Sequence, residues 1–331
     1  MKIGILGAGV IGTLYGWALS ERNEVVHIVR NEKCELVDGS VIQMDILDER
    51  VEDDNQNIIS QYVMHAVSEA DRSFDLLIVP VAEQQLELAL QKLTKEASET
   101  KYLLMTSNWK GMEIIDRYLK KNQYIMGYAG GGGTFRKRGE QLELWGNLGQ
   151  DIVLGTTEAE QNDLLRLADD LFRQLGIIPE IPGNILHWLW IHNVDSAAIG
   201  TGLKMCDEIN TFLIDKELVQ TCFQAMQEGF LVCEKRGVNL KDFPEVQMYH
   251  MPFEQIYPMF RENFETNPTM KRYTAHAFQA IPEMVDYFGQ IYKMGKEYGV
   301  RMPGMEKLYR KSGAQRQFES IVENSIFQAI N

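Results

Sequence analysis

Two short stretches carry residues whose types and spacing suit chemistry. In "ILGAGVIG", Gly7, Gly9 and Gly12 form a GxGxxG pattern directly after an apolar run and at the start of a helical one. That context makes an otherwise weak motif informative. The first glycine permits a tight turn, the second lets backbone approach a pyrophosphate, and the third lets helix pack on strand. Backbone N–H groups of Gly9, Val10, Ile11 and Gly12 would then hold phosphate at the helix N-terminus. In "HWLWIHNVDSAAIGTGLK" (187–204), an otherwise apolar helix carries His192, Asp195 and Ser196, followed by small residues. Positions 192, 196 and 200 share one helix face. A histidine there could act as an acid, or could be a core residue with a satisfied hydrogen bond.

The second strand, "EVVHIV", ends in "RNEK". An acid at this place would bind the ribose 2′-hydroxyl of NAD, whereas Arg30, with Lys33 close behind, suits the 2′-phosphate of NADP(H) by charge and bidentate geometry. Glu32 sits between the two cations. The cofactor expected is NADP(H).

Strands and helices alternate around these residues. "FDLLIVPVA" is a continuous apolar run, as a strand buried on both faces should be. A helix in "EQQLELALQKL", a strand in "KYLLMTS" and a helix in "MEIIDRYLKK" follow it. "YIMGYAGGGGTF", "QLELWG" and "DIVLG" supply late strands, with "AGGGG" (129–133) read either as a loop over the cofactor or as a connector. "SVIQMDILDERVEDDNQNIISQYVMHAV" reads as strands broken by a solvated acidic tip (Asp48, Glu49, Arg50, Glu52, Asp53, Asp54). A helix ends at Gly176, and "IIPEIPGN" reads as a connector. Beyond Ile185 only helical periodicity remains, over 185–199, 208–236, about 252–265, 268–298 and 314–328. The fold class expected is α/β followed by all-α: a Rossmann domain with a doubly wound, mostly parallel sheet (1–180), then an all-helical C-terminal substrate domain (181–331).

The formal charge of −14 disfavours nucleic-acid and anionic-membrane partners, since phosphates would be repelled. Cys34, Cys206, Cys222 and Cys233 form no CxxC pair; without a secretory leader they read as reduced thiols in a cytoplasmic protein. No apolar run is long enough to span a bilayer. The histidines offer no HxxxH or cysteine partner set, so no metal site is expected.

The chain resembles the ketopantoate reductase (2-dehydropantoate 2-reductase) family. The resemblance rests on "GILGAGVIG", "FDLLIVPVAEQQLELAL" with Gln85, "LLMTSNWKGMEII", "LWIHNVDSAAI" and "EMVDYFGQIYKMGKEYGVRMP". It implies NADPH-dependent reduction of a 2-keto acid to a 2-hydroxy acid. It also implies that Asn108 lies near nicotinamide and substrate, although "NWKG" puts two extra residues before Gly111, and that Glu283 contacts the cofactor. The family's catalytic lysine becomes His192, and two substrate asparagines become Ser196 and Gly200. A second lysine becomes Ala82, a serine–methionine pair becomes Thr269–Met270, and a nearby aspartate becomes Tyr273. The active-site face is thus kept in place and rewritten.

The expected function is NADPH-dependent reduction of a small 2-oxo acid or related carbonyl other than ketopantoate. His192 would be the acid, Asn108 and Glu283 would flank the nicotinamide, and Ser196 would face the substrate. Substrate would enter between the domains; a homodimer is left open. The rival is a non-catalytic NADP(H)-binding sensor.

Overall fold

The computed structural model describes residues 1–50, 56–157 and 163–314. The chain divides into two compact units, Met1–Trp188 and Leu189–Asn331.

The first unit runs β1 (Lys2–Leu6), α1 (Val10–Leu19), β2 (Glu24–Ile28), α2 (Asn31–Val37), β3 (Val41–Asp48), β4 (Gln56–Val63), β5 (Ala66–Val67), β6 (Leu76–Pro80) and α3 (Glu83–Glu96). It continues with β7 (Lys101–Met105), α4 (Glu113–Tyr118), β8 (Tyr124–Tyr128), β9 (Gly131–Arg138), β10 (Gln141–Leu148), β11 (Asp151–Gly155), α5 (Asp163–Arg173) and β12 (Ile178–Glu180). Eight strands form one sheet in the order β12-β11-β8-β7-β6-β1-β2-β5. Every neighbouring pair is parallel except β8 with β11. The mostly parallel α/β sheet read from the sequence is therefore present. β6 lies between β1 and β7 and is apolar along its length because both of its faces are covered. The chain leaves β1 towards β2 on one side and returns to β6 on the other. Crevices at such a reversal, beyond the strands' carboxyl ends, bind ligands in open α/β sheets.

A second sheet, in the order β4-β3-β10-β9, was not distinguished in the sequence. Its strands pack with α1 and β1 in one core containing Ile5, Leu14, Tyr15, Met44, Ile46 and Leu144. It also corrects the reading of the glycine run as loop or connector, because Gly131–Gly133 begin β9. Glycine is required there for close approach: a Cβ on Gly133 (φ +157) would stand 2.5 Å from the Trp145 carbonyl oxygen. Two further readings need correction. Ile178–Glu180, expected as connector, pairs in parallel with β11. The acidic tip is not simply solvated: Arg50, its side chain 12% exposed, pairs with Asp48 and Glu21 and donates to the Leu175 carbonyl. Residues 52–54 of that tip lie outside the described residues.

α6 (Ile185–Leu203) opens on Asn184, whose side chain accepts from the N–H groups of Leu186 and His187. The second unit adds α7 (Ile209–Ile214), α8 (Lys216–Lys235), a 3₁₀ turn (Leu240–Asp242), α9 (Pro244–Met248), α10 (Phe253–Thr266), α11 (Pro268–Glu297) and α12 (Pro303–Lys311). It is all-helical among the described residues. The helix read over 208–236 is broken at Asp215, which caps α8 by accepting from Leu218 N–H. The helix expected at 314–328 lies almost wholly outside the described residues. The buried Glu228 of α8 accepts from Gly304 and Met305 N–H, satisfying the first turn of α12. No described helix is long and apolar enough to cross a membrane.

Gly133→Ala should destabilise the first unit by about 1–3 kcal/mol, since both the φ and the neighbouring backbone oppose a side chain. Thermal unfolding checks it; an unchanged midpoint would show that β9 can shift to make room.

Candidate active site

The glycine turn follows β1. Gly7 adopts φ +87, the left-handed region that glycine reaches without strain. A Cβ on Gly7 or Gly9 would meet nothing within 4 Å, so the outer side of the turn is open. A Cβ on Gly12 would instead lie 3.0 Å from the Gly7 carbonyl oxygen and 3.2 Å from Ile5 Cγ2, so the third glycine is needed for packing. Gly9 is the N-cap of α1 and provides no side-chain cap, and the first turn, which includes Val10 and Ile11, carries no acid. An open turn leading into such a helix end fits a pyrophosphate by both geometry and charge.

Arg30 is the N-cap of α2, two residues past β2. Its side chain is 75% exposed, and its 3.8 Å contact with Glu32, itself exposed, is too loose to hold it. Lys33 is exposed in the first turn of α2.

The loop after β7 holds Asn108, which is 2% exposed and the sole non-glycine residue with positive φ (42°) among those described. Asparagine tolerates this conformation better than most residues. Its Nδ2 donates to Met112 Sδ at 3.4 Å. The two extra residues are firmly held: Trp109 is 1% exposed, and Lys110 N–H donates to Glu83 Oε1 at 2.7 Å. Glu83 lies one residue beyond Ala82, where the resemblance places a lysine, and is itself buried in the first turn of α3.

In the second unit α6 positions the row of polar residues. His192 Nε2 lies 3.3 Å from Ser196 Oγ, as one helix face requires. His192 is half-buried in desolvating surroundings that push its pKa down to about 4. The ring is therefore neutral at neutral pH. One turn on, Gly200 is covered by Met284 of α11: a Cβ at position 200 would overlap the methionine side chain. Where the resemblance places a second asparagine, α6 has no side chain and α11 supplies a thioether.

Asp195 is the most perturbed acid of this helix. Burial, and then the Glu245 carboxylate, push its pKa up to about 7, against the hydrogen bond that Tyr249 donates. Asp195 Oδ1 is buried without a hydrogen-bond partner among the described residues. Glu283, half-buried on α11, accepts from Tyr287 Oη at 2.7 Å, and desolvation raises its pKa. The sequence offered no reason to single out Glu83, Met284 or Tyr249, because each acts through a partner distant in the chain.

Residues 3–158 match the family model described as "Ketopantoate reductase PanE/ApbA". Residues 3–158 thus carry this family's domain, and the chain as a whole resembles a divergent member of it. It is 23% identical over 278 residues to the 2-dehydropantoate 2-reductase of Pyrococcus abyssi, covering 80% of this chain and 83% of that protein. The corresponding enzyme of Pyrococcus horikoshii is 22% identical over 268 residues, with the same coverage. Among solved structures, D-mandelate dehydrogenase with NADH and anilino(oxo)acetate superposes with TM-score 0.72 at 18% identity, covering 97% of this chain and 99% of that one. The dimeric ketopantoate reductase of Staphylococcus aureus gives TM-score 0.65 at 16% identity, with the same coverage. These structures share the fold, and the family is one of oxidoreductases.

Asp195 permits a test by pH. Unfolded, it titrates near 3.8, and folded near 7. Between those values the native state keeps a proton that the unfolded chain has lost. Stability therefore falls as pH rises through this window, and the full cost applies above it. Asp195→Asn should gain on the order of 2–4 kcal/mol at pH 8 and little near pH 4. An equal effect at both pH values, measured by denaturant titration, would mean that Asp195 ionises normally.

Proposed function

We propose that the chain is an NADP(H)-dependent oxidoreductase that reduces a small 2-oxo acid or related carbonyl. The main support is the glycine turn: open space at Gly7 and Gly9, a tight fit at Gly12, and an uncapped, acid-free helix N-terminus. In this reading the N–H groups of Gly9, Val10, Ile11 and Gly12 hold the pyrophosphate, and Arg30 holds the 2′-phosphate. When bound, the reduced nicotinamide supplies hydride to the carbonyl carbon. Asn108, locked in its loop, orients the carboxamide and substrate, and Glu283 serves the nicotinamide side. The two groups of residues lie in different units, and each role is assigned from its own surroundings.

His192 then works as a neutral hydrogen-bond donor to the developing alkoxide rather than as an imidazolium. A neutral imidazole can polarise a carbonyl when its surroundings hold its pKa low. Ser196 shares that proton-exchanging face. Met284 over Gly200 supports a substrate with an apolar substituent in place of a hydroxylated one. The anilino(oxo)acetate bound by D-mandelate dehydrogenase, an oxo acid with an aromatic ring, supports the same choice. A non-catalytic NADP(H) sensor remains the rival, favoured by the absence of lysine at 82 and 192.

NADPH should bind at least about tenfold tighter than NADH, worth about 1.4 kcal/mol, and Arg30→Ala should remove most of that preference. Equal affinities in the unmutated protein would sink the assignment.

With NADPH and a panel of 2-oxo acids, the rate for the best substrate should hold steady between about pH 6 and 8. His192→Ala should cost roughly 10²- to 10⁴-fold, and His192→Gln, which keeps an N–H donor, distinctly less. No turnover on any acid would favour the sensor. A wild-type rate that falls steeply with pH across that range, while His192→Gln stays level, would show that the imidazolium is needed after all.

A further inference from the structure

His27, the last residue but one of β2, is fully buried, and the glycine motif alone gives no reason for it to be there. Its Nδ1 lies 2.8 Å from the Gly7 carbonyl oxygen, and its Nε2 lies 2.9 Å from Tyr62 Oη of β4. A carbonyl can only accept, so Nδ1 carries the ring proton. Desolvation holds the His27 pKa below its ordinary value, so the ring is neutral and Nε2 is an acceptor. Tyr62 O–H therefore donates to Nε2, and Nδ1–H donates to Gly7. A directed pair of hydrogen bonds runs from the second sheet into the glycine turn.

Room for that pair has been made deliberately in the sequence. A Cβ on Gly16, one turn beyond Gly12 in α1, would stand 2.7 Å from Tyr62 Oη and 2.8 Å from His27 Nε2. The other side of Gly7 is tied as well, since its N–H donates to the Ile28 carbonyl at 2.8 Å. The residue that must take the left-handed conformation is thus held through both of its polar groups by β2. The peptide following Gly7 is trans and planar, so turning its carbonyl towards His27 turns the Ala8 N–H away from β2.

We infer that His27 and Tyr62 are positioning residues for the dinucleotide: they fix the Gly7 peptide so that the turn is formed before the pyrophosphate arrives. Preorganisation of this kind tightens binding by removing the cost of ordering the loop. The inference rests on the cofactor reading above. It extends that reading from the glycines to a buried pair that touches no ligand.

The test uses the full chain, titrated with NADPH and with NADH by fluorescence, together with thermal unfolding. His27→Asn places an amide donor near the Nδ1 position and keeps the bond to Gly7. His27→Gln places its amide near Nε2, keeps a partner for Tyr62 and leaves the Gly7 carbonyl unpaired. The asparagine variant should bind NADPH within about threefold of wild type, and the glutamine variant should bind at least about tenfold more weakly at a comparable melting temperature. Tyr62→Phe, which removes one hydroxyl from the core, should weaken binding by roughly two- to fivefold; it is the deciding variant should the histidine variants not fold. Equal dissociation constants for the asparagine and glutamine variants, or wild-type affinity in Tyr62→Phe, would overturn the inference. A wild-type protein that binds neither dinucleotide would overturn the cofactor reading itself, and the inference with it. The wild-type titration alone decides that outcome.

Discussion

The first unit depends on how closely backbone can approach backbone where β1, β2 and α1 meet. A Cβ on Gly4 would strike Leu77, one on Gly12 would press on the Gly7 carbonyl, and one on Gly16 would enter the His27–Tyr62 pair. Because none of these side chains exists, α1 lies against the sheet and is buried from Gly12 to Leu19. The helix N-terminus then falls at the carboxyl end of β1, where the strand order reverses. In the proposed reading, that placement is what lets the turn hold a phosphate. Replacing these glycines by larger residues would cost more than packing, because the helix could no longer present its unpaired N–H groups at that spot.

In α6 one cause acts on two residues with opposite results. Desolvation favours the uncharged form of any group. It therefore strips the proton from His192 at lower pH than usual and keeps the proton on Asp195 at higher pH than usual. Over the interval between about 4 and about 7 neither side chain is charged. An apolar helix can carry such a row at modest cost, since no ion has to be removed from water. A lysine in the place of His192 would meet the same desolvation with a far stronger preference for its charged form.

Much of this was legible in the sequence. The alternation of apolar strands and amphipathic helices gave the parallel sheet, the loss of period-two patterning after Ile185 gave the helical unit, and the three glycines gave the turn. Long-range pairings were hidden. The second sheet joins β3 to β10 across roughly a hundred residues, which no local pattern can encode. For the same reason "AGGGG" looked like a loop although its glycines are there for strand packing. The perturbation of His192 could not be foreseen from residue type, because it comes from neighbours brought in by folding. Gly16 was the one local sign of the His27–Tyr62 pair, a second small residue one helical turn after Gly12.

The packing of Met284 onto Gly200 also constrains descent. Position 200 cannot accept an asparagine while the methionine occupies its Cβ space. Position 284, if it shrank first, would leave a hole beside a bare glycine, which costs stability in its own right. Either single step is unfavourable, so the pair acts as a ratchet. An amide at position 200 therefore needs both positions to change together.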